Sequence, residues 1–188
     1  MNNRPVVFLD LDETLISSFS PIGLTQVENL LEKAWTKPPT EFNLKAVERS
    51  QIRVTQIKNA FTIDDLMVIV RPDAQAAIDY LSTFAEVHVF TAASLEYAHA
   101  VINGTGLKFR EGEGKVYSLR EQDLDMTWAA GRRWVLLDDT IAHAKVRLLR
   151  DLDTDVRVIQ VDPLNLGSRC EPLMIYAREA ARRLGIIF

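Results

Sequence analysis

Four short, nearly uninterrupted apolar runs along the chain each end at a hydroxyl or carboxyl side chain. They are Val6–Leu9, which Asp10 follows, then Val87–Thr91, Trp134–Asp138 and Val156–Asp162. Apolar runs of this length are typical of parallel strands that are covered on both faces. Segments with helical periodicity lie between the later runs. This alternation predicts an α/β fold, in which a doubly wound, Rossmann-like parallel sheet carries helices on both faces.

The helical segments can be bounded by their capping signals. Ser94 is a plausible N-cap for a helix that Asn103–Gly104 would end, and Gly185 follows the last helix. The predicted helices are Asp73–Phe84, Leu95–Ile102, a segment from Thr140 to about Arg150, and Glu171–Leu184. A chain of 188 residues fits one domain with room for an insertion, so we expect a single domain over 1–188.

Residues 17–66 interrupt this alternation. Gln26–Trp35 has helical periodicity, and Arg53–Ile57 with Phe61–Ile63 indicates a β-hairpin around Lys58–Asn59–Ala60. We interpret the stretch as a small helical and hairpin insertion that caps the active site after the first strand. An extra layer packed on the core, without a role in the site, is an equally good interpretation.

Composition and charge exclude some classes of protein. The 22 basic and 26 acidic residues give a net charge of −4, which makes a nucleic-acid partner unlikely because such partners require a basic face. The single cysteine, Cys170, excludes an internal disulfide, so a cytoplasmic protein is expected. No segment has the roughly 20 apolar residues of a membrane span, and the N-terminus does not resemble a signal peptide. The oligomeric state stays open.

Carboxylates are concentrated where two of the predicted strands end. Asp10 and Asp12 follow the first strand, and Asp138–Asp139 end the third. In open α/β sheets these ends lie at one edge, where ligands bind. Close carboxylates repel one another, and a hard cation with oxygen ligands such as Mg²⁺ relieves that repulsion. Thr91 ends the second strand just before a helix N-terminus, a position suited to an anion. Solvated acids on a polar loop and a merely structural Thr91 are the alternatives.

These motifs and their order resemble the haloacid dehalogenase superfamily. Within it the chain is most similar to the branch of the RNA polymerase II carboxy-terminal-domain phosphatases, the NLI-interacting-factor-like proteins. The similar stretches are Phe8–Leu15, Val70–Pro72, Val89–Ala92 and Tyr97–Ala98. The resemblance covers most of the chain outside about residues 17–66, and the first motif, Asp-x-Asp-x-Thr, is highly specific.

The resemblance implies a Mg²⁺-dependent phosphatase that acts on a phosphorylated small molecule or protein. Asp10 would attack phosphorus and form an aspartyl-phosphate, and Asp12 would serve as general acid and then as general base. Thr91 would hold a phosphoryl oxygen. The Mg²⁺ ligands would come from Asp10, the Asp12 backbone carbonyl, and one or both of Asp138 and Asp139. We expect substrate contacts from Thr14 and Ala92, and from Arg169 because it follows the final strand at the active-site end.

The resemblance also requires a basic side chain that balances charge at the phosphate. We choose Arg120, at the start of a predicted helix in Leu119–Gln122, with Lys115 as the second choice. Two alternative functions remain at this point. One is a catalytically weak binding or regulatory module with the same fold, and the other is a phosphotransferase that uses the same aspartyl-phosphate.

Overall fold

A computed structural model describes residues 4–19, 60–63, 66–140, 143–150, 157–164 and 171–186. The strands in these ranges are β1 (Val6–Leu9), β2 (Ile16–Phe19), β3 (Ala60–Ile63), β4 (Leu66–Val70), β5 (Glu86–Thr91), β6 (Val116–Ser118), β7 (Trp134–Asp138) and β8 (Val158–Gln160). Five of them form one parallel sheet in the order β6-β5-β1-β7-β8. The predicted α/β fold is therefore confirmed, and three of the four predicted runs match their strands to within one residue. The fourth, Val156–Asp162, is a shorter strand, Val158–Gln160.

Strand β1 is the centre of this sheet. All four of its residues are fully buried, as expected for a strand with neighbours on both sides and helices on both faces. Leu9 is in register with Val89 of β5 and with Leu137 of β7. The residues that follow β1 therefore lie between the ends of β5 and β7, which brings the predicted site residues to one edge of the sheet.

Four α-helices accompany the strands in the described ranges. They are α1 (Ala74–Leu81), α2 (Leu95–Thr105), α3 (His143–Arg150) and α4 (Leu173–Arg183), and a short 3₁₀ helix covers Thr127–Ala129. Leu81, Ala98, Leu149 and Ala177 are buried representatives of the apolar faces of α1 to α4. Among the described residues, no helix has both the length and the apolar character that crossing a membrane requires.

Helix α2 begins as predicted but ends later. The Ser94 hydroxyl accepts a hydrogen bond from Tyr97 N at 3.4 Å, which is the N-cap interaction expected from the sequence. The predicted terminator, Asn103–Gly104, lies inside the helix. Gly106 ends it instead with φ 68°, the left-handed conformation that a C-terminal glycine adopts without strain.

The chain divides into two compact units, one of Met1–Ser17 with Arg71–Phe188 and one of Ser18–Val70. A three-stranded sheet has the order β2-β4-β3, and β3 pairs antiparallel with β4, Ile63 opposite Leu66. Ala60, which we expected in a turn, is paired within β3 opposite Ile69. The predicted helix Gln26–Trp35 and strand Arg53–Ile57 lie outside the described residues, so the cap interpretation of 17–66 stays a prediction.

Candidate active site

The loop after β1 is a tight turn that fixes Asp10 and Asp12. Asp10 N donates a hydrogen bond to Leu137 O of β7 at 2.9 Å, so the first residue of the loop still follows the sheet. Leu15 N and Ile16 N then both donate to Leu11 O, which closes the turn. Glu13 has φ 60° in this turn. A non-glycine residue in that region is uncommon and marks a backbone that its surroundings hold in place.

A cluster of three carboxylates lies at the ends of β1 and β7. Oxygen atoms of Asp10, Asp138 and Asp139 all lie within 4.8 Å of one another. Asp10 and Asp138 are only 6% and 1% exposed, so water screens the repulsion between their carboxylates weakly. Such an all-oxygen donor set suits a hard divalent cation such as Mg²⁺, which binds through one or two carboxylates and keeps several waters.

Lys145 on α3 supplies a positive charge inside this cluster. Its Nζ donates to Asp10 Oδ1 at 2.5 Å and to Asp138 Oδ2 at 2.7 Å, and the residue is only 2% exposed. Buried ammonium groups are rare unless they are paired, and this one has two carboxylate partners. The two contacts fix the Asp10 carboxylate relative to the end of β7.

Burial perturbs the acids of the first loop. It raises the pKa of Asp10 to about 7; the Lys145 ammonium opposes this rise and the Asp138 carboxylate adds to it. Burial also raises the pKa of Asp12, against a hydrogen bond that Tyr97 donates to its Oδ1 at 2.7 Å. Strongly perturbed carboxyls grouped at the edge of a parallel sheet are typical of a reaction centre.

The end of β7 is anchored to the loop after β1. Thr140 N donates to Asp138 Oδ1 at 2.9 Å, and the Thr140 hydroxyl donates to Asp139 Oδ2 at 2.9 Å. Thr14, which we expected at the substrate, is fully buried, and its Oγ1 accepts a hydrogen bond from Asp139 N at 3.1 Å. In the structure Thr14 therefore joins the two acidic loops.

Thr91 and Ala92 begin the loop between β5 and α2. Thr91 is buried at the strand end, and its Oγ1 accepts a hydrogen bond from Ala93 N at 3.0 Å. Ala92 is exposed, and its carbonyl accepts a hydrogen bond from Arg120 Nε at 3.0 Å. The Ser118 hydroxyl holds the same loop through Ala93 O at 2.5 Å.

The structure gives Arg120 a contact other than the expected one. Residues 119–122 form turns and irregular backbone instead of the predicted helix, and the exposed Arg120 donates to Ala92 O. Within the part of the chain that the structure describes, the cation beside Asp10 is Lys145. Lys115, the second choice, is exposed as well. The sequence does contain a signal for Lys145. It lies four residues before Leu149, so a helix places the lysine on the same face as this apolar residue, and both are buried in the structure. Arg169 lies outside the described residues.

The parallel α/β sheet, with acids at the ends of β1 and β7, agrees with the fold and the motifs of the haloacid dehalogenase superfamily that the sequence resembles. The sequence matches the family of NLI interacting factor-like phosphatases over residues 5–147. The chain therefore belongs to the NLI interacting factor-like phosphatase family, and the prediction of a phosphatase from this branch is confirmed.

Solved structures support the same fold. A haloacid dehalogenase-like hydrolase from Burkholderia xenovorans is 16% identical, with 96% of this chain and 99% of that chain covered and a TM-score of 0.53. A haloacid dehalogenase-like hydrolase from Xanthomonas campestris is 12% identical, with 97% of each chain covered and a TM-score of 0.52.

The RNA polymerase II CTD phosphatase Fcp1 of fission yeast is also similar. It is 17% identical over 98% of this chain, with a TM-score of 0.48. The chain spans about half of the Fcp1 chain, 51% of its length. A comparison with curated protein sequences finds no significant match.

Proposed function

We propose that the chain hydrolyses a phosphomonoester through an aspartyl-phosphate on Asp10, with the help of Mg²⁺. The observation that carries this proposal is the pairing of the buried Asp10 with the Lys145 ammonium at 2.5 Å. A carboxylate must approach an anionic phosphate to react with it, and a fixed cation lowers the electrostatic cost of that approach. Family membership supports the same chemistry.

The reaction proceeds in two steps. In the first, an Asp10 carboxylate oxygen attacks phosphorus, the bond from phosphorus to the ester oxygen breaks, and Asp12 gives its proton to the departing oxygen. In the second, the Asp12 carboxylate takes a proton from water. The resulting hydroxide attacks phosphorus, and the bond between phosphorus and Asp10 breaks to release phosphate. Thr91 and Lys145 stabilise charge on the phosphoryl oxygens.

Asp10, Asp138 and Asp139 form the donor set for the metal, together with the Asp12 backbone carbonyl. The carboxylate oxygens within 4.8 Å of one another fit a hard cation, and Lys145 neutralises only part of their charge. Bound Mg²⁺ supplies Lewis-acid stabilisation of charge on the phosphoryl oxygens. The protein residues orient the nucleophile, hold the acid and base, and fix the loop that carries Thr91.

The proposed substrate is a phosphorylated small molecule or protein, and the proposed location of the enzyme is the cytoplasm. A catalytically weak binding or regulatory module would be expected if no basic side chain lay beside the nucleophile. The Lys145 ammonium next to Asp10 argues against that alternative. A phosphotransferase would share Asp10 and differ only in the acceptor of the second step. Measurement of free phosphate against total product distinguishes it from a hydrolase.

The test is turnover of 4-nitrophenyl phosphate with Mg²⁺ and with EDTA. We expect activity that requires Mg²⁺ and that Asp10→Asn abolishes. Asp123→Asn, which removes an exposed acid outside the motifs, is the matched control and should retain full activity. If the wild type shows no turnover, or if Asp10→Asn is as active as the wild type, the proposal is wrong.

A further inference from the structure

The Tyr97 hydroxyl donates a hydrogen bond to Asp12 Oδ1 at 2.7 Å. This contact joins two elements that are 85 residues apart in sequence, namely the loop after β1 and the first turn of α2. β1 and β5 are neighbours in the parallel sheet, and α2 follows β5. The side chain of Tyr97 therefore reaches from the start of α2, which follows β5, to the loop after the neighbouring strand β1.

The backbone of Tyr97 is held in place. Tyr97 N donates to the Ser94 hydroxyl that caps α2, and the Ser118 hydroxyl and Arg120 Nε hold the preceding carbonyls of Ala93 and Ala92. The phenol thus projects from a fixed turn, and its position does not depend on a mobile loop. A hydrogen bond from such a donor fixes the side chain that accepts it.

Tyr97 makes the two oxygens of Asp12 unequal. Oδ1 accepts the phenolic hydrogen bond, while Oδ2 accepts no hydrogen bond from the part of the chain that the structure describes. An oxygen that already accepts a strong hydrogen bond is the poorer site for a proton, so a protonated Asp12 carries its proton on Oδ2. The carboxyl then presents Oδ2 in one fixed orientation, as a positioned general acid requires.

We propose that Tyr97 is a positioning residue that holds Asp12 so that Oδ2 delivers the proton to the departing oxygen of the substrate. The inference rests on the proposed function, in which Asp12 is the general acid. Tyr97 itself need not touch the substrate. Its loss should therefore affect only those reactions in which the leaving group requires a proton.

Substrates that differ in their leaving group test this role. Phenolate is a poor leaving group that requires protonation, whereas 4-nitrophenolate departs with little help. The ratio kcat/KM reports the steps up to departure of the leaving group, before the second step that all substrates share. For Tyr97→Phe we expect kcat/KM to fall about tenfold with phenyl phosphate and less than about twofold with 4-nitrophenyl phosphate. A tenfold fall is the size expected for loss of one hydrogen bond between neutral groups, because Asp12 is protonated when it acts as the acid.

Two controls separate positioning from structural damage. Tyr80→Phe also removes a phenolic hydroxyl, but from a residue near the end of α1 whose ring packs on Phe84. Phe84 comes just before β5, at the amino end of that strand, whereas the site lies at the carboxyl ends of the strands. It should leave both substrates unaffected. In an Asp12→Asn background, adding Tyr97→Phe should cause no further loss with phenyl phosphate, because Tyr97 acts through Asp12.

The outcomes separate this inference from the proposed function. Wild type that does not turn over either substrate overturns the proposed function and this inference with it. An active wild type with equal losses for both substrates in Tyr97→Phe overturns the inference alone. Full activity of Tyr97→Phe on both substrates, or an added loss in the Asp12→Asn background, does the same.

Discussion

Replacing Lys145 by Met tests the electrostatics of the site. Met keeps most of the aliphatic stem and removes the ammonium that contacts Asp10 Oδ1 at 2.5 Å and Asp138 Oδ2 at 2.7 Å. Two buried carboxylates then face each other without a buried cation. Breaking a buried ion pair by removing one partner is far more harmful than removing both, because the remaining charge is left uncompensated.

The magnitude follows from these distances. At an effective dielectric constant near 20, charges this close attract by about 6 kcal/mol for each contact, and desolvation of the ions offsets much of that gain. Loss of one partner of a buried pair typically costs about 3 to 5 kcal/mol. Because the pKa of Asp10 is already about 7, this group can take up a proton and relieve part of the repulsion. We therefore expect about 3 kcal/mol, or a fall in Tm of about 6 to 12 °C.

Thermal unfolding in EDTA and in Mg²⁺ measures this effect. Lys145→Met should unfold at the lower temperature in EDTA and recover part of the loss in Mg²⁺, since a cation again neutralises the carboxylates. Its kcat/KM should fall about 100-fold or more. Lys115→Met, at an exposed site, is the matched control and should change stability by less than about 0.5 kcal/mol. A Lys145→Met protein as stable and as active as this control would refute the electrostatic reasoning.

Two further predictions concern Mg²⁺ and Arg71. Burial raises the pKa of Asp10 to about 7 in the folded protein, so between about pH 4 and pH 7 the folded state holds a proton that the unfolded state has lost. The contribution of Asp10 to the stability of the metal-free protein should therefore fall as pH rises through this range. The Tm increase caused by Mg²⁺ should therefore be larger at pH 8 than at pH 5.5 and smaller in Asp10→Asn; an increase that is independent of pH would contradict this. Arg71 is 1% exposed and donates to the carbonyls of Glu13, Asp162 and Glu171, so Arg71→Met should cost roughly 3 kcal/mol in urea unfolding. A loss below about 1 kcal/mol would show that these bonds do not hold the loops together.

The sheet and its acidic edge could be predicted because their signals are local. Val6–Leu9 and Trp134–Asp138 are apolar runs that read directly as buried strands. The rule that parallel strands end at one edge then brings Asp10 and Asp138 together without any knowledge of loops. The observed register, with Leu9 opposite Leu137, agrees with that argument.

The cation could not be selected by the same argument. Its position relative to Asp10 depends on how α3 packs, and the chain offers 22 basic residues. The sequence places Arg120 at the start of a predicted helix, but the structure has a turn there. Lys145 lies on a helix beside Val146 and Leu149, both of which are buried. A lysine on an apolar face requires a buried partner, and that reasoning leads to the acids.

The pairing of β3 with β4 was not predicted, for a related reason. The expected partner of Phe61–Ile63, Arg53–Ile57, lies outside the described residues. Phe61–Ile63 is a strand as expected, but the described partner is β4, Leu66–Val70, which follows it in sequence. Alternating residues on either side of Phe61–Ile63 have comparable strand character. Choosing between two neighbours depends on the turn and on burial of each face, which local patterns do not determine.

The most direct test of the account is chemical identification of the phosphorylated residue. Enzyme mixed with substrate and Mg²⁺ is quenched in acid, the acyl phosphate is reduced with borohydride, and peptide sequencing by mass spectrometry locates the altered side chain. We predict that the alteration falls on Asp10 during turnover and is absent in Asp10→Asn. Steady turnover with no label at Asp10, or with the label on another residue, would contradict the central claim.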